Sequence, residues 1–316
     1  MRRFLLLILM AVTITSCSDK KMSLKPSVTG KAGEVIVVCN KDDWEGEIGT
    51  SIRNIIAVDY PMLPQKEPLF TLVNINESAF TDIFKSHRNI ILIKIDSRKE
   101  GEAKLIHQKD VWARPQTIVT ISAASREEAV AEINKDASRF KAIFEQAERD
   151  RLITNTIKYQ EFSLHHAVAD KFGGAPYFPS GYKMKKETSD FIWISYDTYH
   201  TMQGVFIYSF PCTEETRLDL STLITKRDEF LKKYVPGMFP DTYMITSPAI
   251  QPTLNWLKYK NRDFAEIRGL WEVHNDYMGG PFISHAFYDK EGKNVIVLEG
   301  FVYAPKYDKR NYLRQV

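Results

Sequence analysis

Four side chains late in the chain have the types and spacing that binding or catalysis can use. Between Phe264 and Asp276 a strand period of two puts Glu266, Arg268, Glu272, His274 and Asp276 on one face, with Ala265, Ile267, Trp271 and Val273 on the other. A carboxylate beside an imidazole orients it for general-base work or helps hold a metal, and His285 on the following strand comes within reach. Arg268, Glu272, His274 and His285 therefore form the candidate ligand-binding set. The same alternation belongs to any half-buried antiparallel strand whose polar face meets water and whose opposite charges pair along it. A solvated face is the expectation, with the site as its sharper rival. Two histidines and scattered carboxylates lack the tight helical spacing of a zinc site, and His165-His166 on a predicted helix diverge by about 100°. No metal site is assigned. No nucleophile elbow, phosphate loop, Cys-x-x-Cys or His-Glu-x-x-His motif occurs, so neither a catalytic residue nor a cofactor is proposed.

The other reactive position is Cys17. Arg2 and Arg3 precede an apolar run from Phe4 to Ile14, which has the charged start and short hydrophobic stretch of a secretory signal. It is too short to span a bilayer, which takes about 20 apolar residues. Ile14-Thr15-Ser16-Cys17 resembles a bacterial lipobox, in which small residues admit the peptidase and the cysteine thiolate takes a diacylglyceryl group. Several acyl chains, at about 0.8 kcal/mol per buried methylene, anchor a protein stably. Residues 1–16 read as a lipoprotein signal peptide and 17–33 as a flexible tether with no apolar period.

The elements that must position these groups read as two units. The chain has 316 residues, 43 basic against 40 acidic, and losing Arg2 and Arg3 from the 43 leaves 41. So balanced a charge offers nothing to nucleic acid, which demands a clustered basic surface. From 34 to 158 the pattern is a mixed α/β domain. Val35–Cys39, Leu69–Ile75 and Ile90–Ile95 read as strands interleaved with helices, strands near 104–112 and 116–122 follow, and one long helix from Ser125 carries a stripe through Ala129, Ile133, Phe140 and Phe144 toward Ile153. From 159 to 316 strands dominate: 182–186, 191–196 and 204–210, a helix over Leu220–Tyr234, then 264–275, 282–288 and 294–304 as an antiparallel meander. The fold class is thus α+β, two mixed α/β units with an antiparallel sheet dominating the second.

Gly33-Glu-Val-Ile-Val-Val38 with Asp42-Asp-Trp-Glu45, Phe84-Lys-Ser-His-Arg-Asn89 and Arg268-Gly-Leu-Trp-Glu-Val-His-Asn-Asp-Tyr-Met-Gly-Gly-Pro281 together resemble an uncharacterised lipoprotein family of Bacteroidota, over nearly the whole mature chain. The resemblance implies an envelope lipoprotein and supplies no catalytic residues.

Tyr177, Phe178, Tyr182, Trp256, Tyr277 and Tyr303 fall near loop breaks and can form a platform for a glycan or peptide, although most such residues pack in cores. Cys39 and Cys212 are expected as separate free thiols. Lys306, Lys309, Arg310 and Arg314 are expected on a solvated helix face at a carboxyl end that reads as cut short. The expectation for function is a lipid-anchored envelope protein, outer-membrane in placement, that binds or assembles with an envelope protein or glycan; an envelope hydrolase using the Glu/His strand is the alternative. Mass spectrometry of the mature protein should find an acylated Cys17 as its first residue. Cys17→Ala should remain unprocessed, and processing and membrane association as before would refute the anchor.

Overall fold

The computed structural model describes residues 25–213 and 216–316; the leader, Cys17 and the first part of the tether lie outside the described residues. The first unit holds β1 (Glu34–Val38), α1 (Lys41–Glu45), α2 (Glu47–Ile56), β2 (Thr71–Ile75), α3 (Asp82–Lys85), β3 (Asn89–Ile95), β4 (Lys104–Lys109), β5 (Thr117–Ala123), α4 (Arg126–Lys135) and α5 (Ala137–Lys158). Its sheet has the order β2-β1-β3-β5-β4, parallel except for β4 against β5. The central strands are near-continuous apolar runs because both faces are covered. Val35, Val37, Ile91, Ile93, Val119 and Ile121 pack under α2, α4 and α5. Ile36, Val38, Ile90 and Ile118 face Phe80, Phe84 and Trp112.

Three expectations for this unit change. The long helix is two helices. Asp136 leaves helical geometry at φ −141° and ψ 71°, and its carboxylate accepts from the Arg139 N–H at 2.9 Å, capping α5. The apolar stripe ends at Phe144. Ile153 is exposed, and the inward positions that follow are Ala147, Glu148 and Arg151. The tether does not extend to residue 33: Val28 and Thr29 donate to the Arg114 and Ser86 carbonyls, and Arg88 donates to Thr29, so this stretch lies along the first unit.

The second unit runs α6 (Phe162–Phe172), β6 (Lys183–Glu187), β7 (Phe191–Asp197), β8 (Met202–Pro211), α7 (Leu220–Tyr234), β9 (Met244–Thr246), β10 (Thr253–Tyr259), β11 (Arg262–Val273), β12 (Gly279–Tyr288), β13 (Asn294–Tyr303) and α8 (Arg310–Leu313). Its antiparallel sheet has the order β10-β11-β12-β13-β8-β7-β6, with β9 also paired to β11. The expected meander is β11 to β13, and β10 extends it. That strand was missed because its residues are mostly exposed at the sheet edge and show no buried alternation.

One face of this sheet is closed by α7, whose Leu223, Leu231 and Tyr234 meet Phe191, Phe206 and Tyr208. Inside that core Arg227 grips Glu299 with two hydrogen bonds, Nε to Oε2 at 2.9 Å and Nη2 to Oε1 at 2.8 Å, the two side chains being 2% and 0% exposed. The guanidinium carbon also stands 3.8 Å from the Phe282 ring centre. Arg227→Met should destabilise by about 3–5 kcal/mol, since it leaves a buried carboxylate unpaired. Adding Glu299→Leu should recover most of that loss in chemical denaturation.

On the other face, α6 covers Ile192, Ile194 and Ile207, while α8 lies against Val302 and Ala304. Far from presenting a solvated face, α8 is the joint between the units. Lys309 and Arg310 are buried, and their backbone N–H groups donate to Glu67 of the first unit at 2.7 and 2.8 Å. Arg310 Nη1 donates to the Pro68 carbonyl, Arg314 Nη2 to the Leu69 carbonyl at 2.7 Å, and Asn311 to the Ala32 carbonyl at 3.0 Å. Gly33, at φ +72°, makes room: a Cβ there would lie 2.8 Å from Arg314 Nη1.

Candidate functional site

The strand period that groups Glu266, Arg268 and Glu272 holds, but the polar face is not solvated along its length. Glu266 is 8% exposed. Its Oε1 accepts from Arg268 Nε at 2.8 Å, and its Oε2 lies 3.3 Å from His285 Nε2, the two strands placing Glu266 directly opposite His285. Burial alone pushes the Glu266 carboxyl up, yet the hydrogen bonds from His285 and Arg268 and the Arg268 charge outweigh it and hold the pKa at about 2. Arg268 continues to the other unit, where its Nη1 meets the Tyr60 hydroxyl at 3.4 Å and its guanidinium lies 5.7 Å from that ring centre.

Glu272 and His274 do not join this group. Glu272 accepts from the Ser247 hydroxyl at 2.6 Å, and the His274 ring stacks on Tyr243 with centres 4.9 Å apart, beyond the end of β11. The strand therefore splits the expected set: Arg268 and His285 share Glu266, a residue whose role as their link was not anticipated, and the other two serve local packing. The aromatic residues do not gather into a platform either. Tyr177 stacks on His165, Phe178 and Tyr182 are buried, and Trp256 is exposed on β10 while Tyr277 is exposed in the turn before β12. Cys39 and Cys212 are unbridged, and burial above all pushes the Cys39 thiol up to about 12, so it carries no thiolate at neutral pH. Among the described residues no three His, Cys, Asp or Glu side chains gather closely enough to hold a metal, and no helix is long and apolar enough to cross a membrane.

The concave feature that Arg268 does line is a cleft of about 700 Å³ between the units. One wall is the second half of α5 with the loops before β3 and β5; the other is β11, Tyr60 and α8. Leu69, Arg88 and Pro115 stand one or two residues before β2, β3 and β5, so the cleft lies at the amino ends of the parallel strands. Open α/β sheets ordinarily take ligands at the opposite, carboxyl ends. Here the second unit supplies the missing wall.

A shared carboxylate organises the α5 wall. Glu148 accepts from Arg88 Nη2 at 2.9 Å, Asn89 Nδ2 at 2.7 Å and Arg151 Nη1 at 2.9 Å, while Arg151 also donates to the Arg88 and Pro115 carbonyls at 2.8 and 3.0 Å. Burial lowers the Arg151 pKa to about 10 against the pull of Glu148. Phe140, Phe144, Glu148, Arg151 and Lys158 lie at steps of three, four or seven, so one helical face passes from core to cleft as its residues turn from aromatic to charged. That change was the available signal in the sequence.

Because Glu266 titrates lower in the folded chain than unfolded, its contribution is fully present above about pH 4.5 and is lost as pH falls toward 2, at most about 3 kcal/mol in size. Glu266→Gln should flatten the fall in stability between about pH 5 and pH 2 in urea titrations; an unchanged slope would mean that the Arg268 and His285 contacts do not hold in solution.

No curated protein matches the chain. Residues 28–156 match a domain of unknown function, DUF8532, and residues 161–316 match another, DUF4837, so the two units of the fold each match a family of unknown function.

Proposed function

We propose that this chain is a lipid-anchored protein of the bacterial cell envelope, held at the outer membrane through Cys17, and that it is a non-catalytic binding module whose ligand sits in the cleft between the two units. The cleft carries the reading: it is of small-ligand size, both units wall it, and α8 fixes their spacing. The leader and lipobox support the address, as does the resemblance to Bacteroidota envelope lipoproteins.

The hydrolase alternative has the Glu266–His285 pair in its favour. A carboxyl held at about 2 with both oxygens engaged is a poor proton carrier near neutral pH, and neither residue lines the cleft. Binding is therefore the better account. Titration of the full chain with N-phenyl-1-naphthylamine, an uncharged apolar fluorophore, should give saturable binding, weakened about tenfold by Leu152→Asn in the cleft wall. Failure to saturate, or indifference to Leu152→Asn, would defeat the cleft as the binding site. Turnover of a chromogenic ester or glycoside that His285→Ala abolishes would install the hydrolase instead.

A further inference from the structure

Charge is distributed unequally around the cleft. Arg88, Arg149, Arg151, Lys158, Arg268 and Arg314 line it, against two carboxylates, Glu145 and Glu148. The whole chain carries a formal charge of only +3, so this surface concentrates a positive excess that the rest of the molecule balances. Glu148 is already engaged by Arg88, Asn89 and Arg151.

Donors are left over where they are hardest to leave. Arg88 Nε and Arg314 Nη1 are buried and have no hydrogen-bond partner among the described residues. A buried unsatisfied donor costs about 1–3 kcal/mol, more when charged, so Arg88 and Arg314, one on each wall of the cleft, carry guanidinium charge that their own contacts do not fully meet. Arg314 is held in place all the same. Its Nη2 donates to the Leu69 carbonyl, and its guanidinium lies 4.8 Å from the Phe70 ring centre and 5.6 Å from that of Tyr60. Burial, with Arg310 beside it, lowers the Arg314 pKa despite Tyr60, Glu148 and Glu145, which is the mark of an undercompensated cation. Guanidinium forks match carboxylate and phosphate oxygens in geometry as well as charge.

The rest of the lining is mixed, with polar Ser27, Thr154, Asn155, Asn311 and Gln315 beside apolar side chains. Val28, Pro61, Leu69, Pro115 and Leu152, with the rings of Tyr60 and Tyr159, flank the arginines. A volume of about 700 Å³ suits a compact molecule. We infer that the cleft takes a small molecule that joins an oxyanion, carboxylate or phosphate, to an apolar or aromatic body, with Arg88 and Arg314 meeting the oxyanion. This rests on the cleft being the binding site and adds the chemical class of its occupant.

The probes are a pair of similar shape and different charge: 8-anilinonaphthalene-1-sulfonate, anionic, and N-phenyl-1-naphthylamine, neutral. On the full chain the anionic probe should bind at least about tenfold tighter, and raising NaCl from about 50 to about 500 mM should weaken it while sparing the neutral one. Arg314→Gln and Arg88→Gln should each weaken the anionic probe about tenfold and change the neutral probe less than about twofold. Arg149→Gln with Lys158→Gln, both exposed in the native chain, should weaken the anionic probe in the same direction without risk to the fold. Inorganic phosphate and benzoate compete in separate arms, and whichever displaces the anionic probe at lower concentration names the head group. Equal affinities for the two probes, with no response to salt or to the arginine and lysine variants, would overturn the anionic occupant and leave the cleft reading standing. If neither probe saturates, both fall.

Discussion

The buried Glu67 carboxylate is the interaction on which the two-unit arrangement turns. It belongs to the first unit, yet its two oxygens accept the backbone N–H groups of Lys309 and Arg310 at the start of α8. Those donors would otherwise be orphans at a buried helix end. Hydrogen bonds to a charged acceptor are each worth about 1.5–3 kcal/mol, and here they close a contact between residues more than 240 positions apart. With α8 seated, Val302, Ala304 and Leu313 meet Tyr60 and Leu63, and Arg314 reaches Leu69. The cleft is what remains between the units once that joint is made.

The two units treat buried charge differently. In the second core, Arg227 gives two donors to Glu299 and a third to Thr246, with Asp228 also in reach and the Phe282 ring against the cation. Around the cleft Glu148 serves two arginines and an asparagine, and among the described residues Arg88 Nε and Arg314 Nη1 meet no acceptor. A matched pair of this kind specifies packing. Six cations against two carboxylates leave the cleft lining with a positive balance that no such pairing cancels.

Position in the first sheet compounds this. An open parallel sheet usually offers its carboxyl ends to ligands, where loops and helix amino termini converge. This chain sets its cleft at the amino ends, where strand starts alone build little relief, and obtains depth from α5, the stretch before β1 and the second unit. Neither unit alone forms both walls.

Local pattern made much of the fold legible. The apolar runs of β1, β3 and β5, the Asp219-capped helix Leu220–Tyr234 and the meander from β11 to β13 each bury a face in a period that adjacent residues reveal. Asp136 splits a helix whose flanking stripes are nearly in phase, so only its capping geometry betrays the break. The face carrying Glu266 and Arg268 was readable, but what it faces was not. Tyr60 lies 208 positions from Arg268, and Lys309, Arg310 and Arg314 read as solvated cations because nothing near them in sequence announces Glu67, Pro68 or Leu69. By itself the sequence determined the elements and their buried faces, because these follow from periodicity over a few residues. Tertiary structure decided which charges share a cavity, because pairing across hundreds of residues depends on how the two units close upon each other.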